Sequence, residues 1–252
     1  MGPETTNPTL ALRIDDIGAS SKEHLYYTKR WYSNWGPLRD RRLFGKWAPY
    51  REMSPADWQQ IYKILERFKS KLTVGITASW VEDDGTLVPF PEKFPDEAKA
   101  IGEGLAAGYL EIANHGLTHC VLDEGLFRRR LLYGTNRTYH REFWDWVSAD
   151  VQLDHLRRAQ AILTGYFKTP ITTLIPPGNA YSLQTLEACQ QLGLRTVNCE
   201  RPKLRLGETP KVIGDDNVLP FHDREIVVFG TGWLEGKLRQ LPRPAQHFVR
   251  DL

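Results

Sequence analysis

The chain has 252 residues, 41% of them hydrophobic and 25% charged, a composition typical of a globular protein long enough to build one sizeable core. Its net charge of +2, with no long Lys/Arg block, gives no electrostatic case for nucleic acid. No apolar run approaches the roughly 18 residues needed to span a bilayer, so no transmembrane segment is expected.

The first residues, MGPETTNPT, lack the basic stretch and apolar run of a secretory leader. Cys120, Cys189 and Cys199 are odd in number and form no C-x-x-C pair. That argues against a disulfide framework and predicts a reducing, cytoplasmic setting.

Along the chain, residues 10–14 read as a buried strand running into Asp15-Asp16. Residues 19–53 are long for a connection in a compact α/β unit and are expected to form a lid or insertion. Trp31, Trp35 and Trp47 lie in it, beside several arginines. Aromatic faces of this kind stack on sugar rings, but they serve equally well as a satellite core under a long loop.

Residues 54–70 predict a helix, with Ser54 as N-cap, Pro55 at N1, Asp57 at N3 and apolar spacing at Trp58, Ile61, Leu65 and Phe68. A strand follows at 72–77, a helix at 95–107 closed by Gly108, and a strand at 109–113 leading into Asn114-His115. A long helix is expected over 140–166 and a strand over 171–175, ended by Pro176-Pro177-Gly178. Ser182 and Gly193 bracket a further helix, and 194–198, 217–221 and 226–230 predict strands. This alternation points to an α/β fold with parallel strands, as an open sheet or a barrel. Asp15-Asp16, His115, Pro176-Pro177 and His222 each fall just after an expected strand, and a barrel gathers such ends on one face.

These residues also carry the chemistry. One of two adjacent carboxylates can ligate a metal while the other acts as a base, although turns and helix caps use Asp as often. His115 and His119 stand four apart, so both imidazoles can reach one ion; a satisfied structural pair fits the same spacing. One carboxylate and two imidazoles would leave a coordination position open, as catalytic sites do. His222, at a strand end, can donate a proton to a leaving amine, or simply lie on the surface.

Taken together, Arg13-Ile14-Asp15-Asp16, Glu111 to His119, Ile175-Pro176-Pro177-Gly178 and Pro220-Phe221-His222 resemble, in order, the motifs of the polysaccharide deacetylases, carbohydrate esterase family four. The resemblance implies a distorted (β/α) barrel of about seven parallel strands, a single domain over 1–252 with a long insertion after the first strand. It implies Asp15 as general base, His222 as general acid, and Asp16, His115 and His119 as ligands of a divalent metal, commonly zinc. Pro177 and Gly178 would line the substrate. The implied activity is removal of an N-acetyl group from a sugar or glycoconjugate. A different C–N or ester hydrolase, or an inactive carbohydrate-binding protein, would use the same scaffold. The chain departs from the family at Ile17 and Gly116, where Gly and Ser or Thr are usual. Ile175 stands near the place of an arginine that pairs with the catalytic aspartate, and Arg13 is the candidate substitute.

Overall fold

The structure is a computed structural model and describes residues 10–24, 50–82, 84–121 and 141–252. Trp31, Trp35 and Trp47 lie outside the described residues.

The described residues form nine strands: β1 (Ala11–Ile17), β2 (Leu72–Ile76), β3 (Ser79–Val81), β4 (Leu87–Pro89), β5 (Leu110–Asn114), β6 (Thr173–Leu174), β7 (Thr196–Asn198), β8 (Lys211–Ile213) and β9 (Val218–His222). Seven of them make one sheet in the order β8-β7-β6-β5-β2-β1-β9, and every neighbouring pair is parallel. β3 and β4 form a separate antiparallel hairpin.

The sheet is rolled. Three strands separate β1 from β7, which in a flat sheet puts them about 19 Å apart. Yet Arg13 Nη1 on β1 donates to Asn198 Oδ1 at the end of β7 at 2.5 Å. Only a sheet curled toward a barrel brings that donor and acceptor together. The alternation along the strands follows from this. Leu12, Ile14, Leu72, Val74, Leu110 and Ile112 face outward into the main core, whereas Arg13, Asp15, Thr73 and Glu111 are buried polar groups on the other face.

Helices cover the outside. They are α1 (Ser21–His24), α2 (Pro55–Arg67), α3 (Phe90–Lys93), α4 (Pro95–Ala106), α5 (Ala149–Phe167), α6 (Leu183–Gln191), α7 (Asp223–Phe229) and α8 (Gly232–Gln240). The start of α2 is set as its sequence predicts: Ser54 accepts from the Asp57 N–H and Asp57 caps Ser54 in return, while Trp58, Ile61 and Leu65 turn inward. α6 starts on a matching Ser182–Thr185 box.

Three expectations need correction. Residues 226–230 belong to α7 and its cap rather than to a strand, because Glu225 accepts the His222 N–H and starts a helix there. The long helix begins at Ala149, since residues 141–148 are turns that feed Glu142 and Phe143 into the interior. Asp15 and Asp16 lie inside β1 rather than after it, because the strand continues through a register shift to Ile17.

At the start of the strands the barrel is closed by the C-terminal segment. Val249 N–H donates to Thr73 Oγ1 at 2.9 Å, and Val249 packs with Ala11 and Val218. Beneath it, Glu111 accepts from Thr73 and Thr173 hydroxyls at 2.7 and 2.6 Å. Burial pushes the Glu111 carboxyl above its ordinary value, against the pull of those two hydroxyls.

Candidate metal centre

At the opposite end of the barrel the sheet delivers four side chains to one point. In a regular strand Asp15 and Asp16 would face opposite sides. The register shift between Ile14 and Ile17, with Asp16 in the left-handed region at φ 71°, turns the second carboxylate to the barrel mouth as well. Asp16 Oδ1 then lies 3.0 Å from His119 Nε2 and 3.3 Å from His115 Nε2. Among the described residues this is the one Asp/Glu/Cys/His group of three or more whose ligand atoms all lie within 4.8 Å of one another.

The tautomer of His115 follows from its other contact. Its Nδ1 is 2.7 Å from the Ile175 carbonyl oxygen, which can only accept, so Nδ1 carries a proton and Nε2 is the nitrogen turned toward Asp16. A backbone carbonyl behind the ring is the usual outer support of a metal-ligating histidine. Burial raises the Asp16 pKa, yet His119 and His222, with hydrogen bonds from both metal-facing imidazoles, hold it well below the usual carboxylate range. An ionised carboxylate facing two imidazole nitrogens fits a divalent cation by the chemistry of its donors.

Asp15 sits beside this triad and is 5% exposed. Arg13 Nε and Nη2 both approach its Oδ2, at 3.1 and 3.0 Å. Its Oδ1 is buried with no hydrogen-bond partner. Gly75 makes room here: a Cβ on it would lie 3.4 Å from that oxygen and 3.3 Å from Ile175 Cδ1. Arg13 is in turn held by Asn198 and by Asp215 Oδ1, the latter at 2.8 Å. Arginine and aspartate thus meet from neighbouring inward positions of one strand, two residues apart, rather than from β1 and β6.

His222 pairs with Asp15 across the β1–β9 register. Burial lowers its pKa, but Asp16, Glu225 and Asp15 together outweigh that pull and carry it up to about 9. Pro177 is buried against the His115–Gly116 turn, and Gly178 is exposed beside it with φ 61°.

Sequence patterns do not reveal the supports of this site. Lys22, on α1, places its ammonium 2.5 Å from both Glu52 and Asp223, and Tyr50 donates to Asp223 at 2.8 Å. Glu52 also accepts the Gly18 N–H at 2.9 Å. This buried network ties the loop after β1 to the start of α7, next to His222. Burial pushes the Asp223 carboxyl up to about 7, with Lys22 opposing and Glu52 and Asp16 adding to the rise. Nothing local in the sequence distinguishes these charges from surface ones, because each partner is at least 30 positions away or on another strand end.

The sequence profile of the family described as polysaccharide deacetylase matches residues 49–197. No curated protein matches the chain. Among solved structures, the chain is similar to a family 4 carbohydrate esterase pseudoenzyme from Bacillus anthracis, with 12% identity and a TM-score of 0.50, over 95% of this chain and 63% of that one. It is also similar to a Mycobacterium smegmatis protein assigned as a polysaccharide deacetylase, with 11% identity and a TM-score of 0.52, over 96% of this chain and 87% of that one. The chain therefore spans less than two thirds of the Bacillus protein's length. At such identities the likeness is one of fold.

Proposed function

The chain belongs to the polysaccharide deacetylase family, and on that premise we propose that it is a metal-dependent hydrolase that removes an N-acetyl group from a sugar or glycoconjugate. The observation that carries this reading is a carboxylate shared by two imidazoles, with a second carboxylate oxygen left without a partner beside it. Fold alone would not suffice, since the Bacillus protein of similar fold is described as a pseudoenzyme.

Asp16, His115 and His119 would hold the cation, and one carboxylate with two imidazoles favours zinc. When bound, it supplies Lewis acidity, lowering the pKa of water and polarising the acetyl carbonyl. Asp15 is the base: Arg13 fixes one of its oxygens and leaves the other free to take a proton from the attacking water. His222, across the β1–β9 register from Asp15, gives a proton to the leaving nitrogen as acetate departs. Gly178, exposed next to the His115 turn, would offer backbone to the substrate, with Pro177 as its wall. Trp31, Trp35 and Trp47 would stack on sugar rings.

We read the chain as one domain over 1–252. Among the described residues no helix is long and apolar enough to cross a membrane. The three cysteines are buried thiols, which favours a reducing, cytoplasmic setting.

Metal analysis of the purified protein, followed by acetate release from a panel of N-acetylated sugars, tests the proposal. Bound metal with acetate release supports it. Metal without acetate points to another C–N or ester bond as substrate, and neither points to an inactive carbohydrate-binding protein.

A further inference from the structure

The turn that carries His119 is shaped by a residue from outside the motif. Glu142 is 1% exposed, and its carboxylate lies under three successive backbone N–H groups. Oε1 accepts from Leu117 at 2.9 Å and Oε2 from His119 at 3.0 Å, while Thr118 lies 3.4 Å from both oxygens. Oε1 also meets His155 Nδ1, from α5, at 2.6 Å. Asn114 Oδ1 accepts the Gly116 N–H at 2.8 Å, so each N–H from 116 to 119 is taken by a side chain. His119 itself is held in the left-handed region at φ 62°, which an unrestrained histidine avoids.

Gly116 completes the fit. A Cβ there would come within 2.0 Å of Glu142 Oε2, so the carboxylate occupies the space that a side chain after His115 would fill. The Gly116 departure and Glu142 are two halves of one arrangement.

We infer that Glu142, backed by His155, is a positioning residue for the metal ligand His119: its carboxyl oxygens hold the 117–119 backbone in the one conformation that aims the His119 imidazole at Asp16. The inference rests on the metal-centre reading above.

Co2+ titration of the full chain, followed by absorption, tests it in wild type and Glu142→Gln. The amide keeps the volume but turns donor hydrogens toward backbone donors. Affinity is expected to fall by about 10- to 100-fold, the usual effect of losing an outer-shell partner. The visible bands at saturation should change position or intensity, because the His119 ligand is displaced. A variant with a lower melting temperature but unchanged affinity and bands would reduce Glu142 to a structural cap and overturn the inference. Should Glu142→Gln fail to fold, His155→Gln decides: a smaller loss of affinity is expected, and wild-type binding overturns the inference. A wild-type chain that takes up no Co2+ would overturn the metal centre itself, and this inference with it.

Discussion

The barrel buries carboxyl groups at both ends, and the two ends treat them in opposite ways. At the strand starts Glu111 meets two threonine hydroxyls, under a C-terminal segment that closes that end, and burial drives its carboxyl toward the protonated form. At the mouth Asp15 and Asp16 meet an arginine and two imidazoles, and Asp16 is held ionised. Neutral donors and a seal make a structural carboxyl; ionisable partners and an orphan oxygen make a reactive one. The same polar interior thus serves packing at one end and chemistry at the other.

The sharpest way to break this comparison is Asp15→Asn. We expect kcat to fall by about 10²–10⁴-fold with metal content unchanged, because the free oxygen of Asp15 can no longer take a proton. Steady-state rates with metal analysis check this; a retained rate would make the mouth no different from the seal. Next, Lys22→Met would leave Glu52 and Asp223 buried without their shared cation. A loss of about 3–5 kcal/mol is expected in urea unfolding, as for a broken buried ion pair.

The His222 imidazole should titrate near 9 by NMR in the metal-free protein. A raised folded pKa contributes stability that is complete below the ordinary 6.5 and is lost as pH rises through about 9. Added Zn2+ should move the midpoint down, since the cation cancels the Asp16 charge. The smallest effect is expected at the sealed end. Glu111→Gln should change stability by less than about 1 kcal/mol, because its hydroxyl partners can reorient toward an amide. Glu111 has a raised pKa, so the native state binds its proton more tightly and stability falls as pH climbs above the ordinary 4.5. The variant should lose that slope above pH 4.5, measured by urea titrations. A large loss at pH 7 would mean that the sealed carboxyl works ionised after all.

Much of the mouth was legible in the sequence because its side chains stand at the ends of apolar runs: Asp15-Asp16 beside Leu12 and Ile14, His115 after Ile112, His222 after Phe221. Helix starts at Ser54 and Ser182 were legible for the same reason, being local. The supports were not. Asp215 and Asn198 reach Arg13 only because the sheet rolls, and no periodicity encodes that closure. β8 was missed as too short and half exposed, with Lys211 at its start. The run 226–229 is rich in Ile, Val and Phe, which favours a strand in isolation, yet the His222–Glu225 cap and packing against α8 and β1 make it a helix.

One contact at the rim reaches beyond catalysis. Tyr50 N–H donates to the Lys22 carbonyl at 3.3 Å, and both residues are fastened to Asp223. Lys22 and Tyr50, 28 positions apart in sequence, therefore share one clasp on the barrel. A segment hinged on such a clasp can be exchanged as a cassette, its length and composition varied at little entropic cost to closure, while the strand ends it grows from stay put.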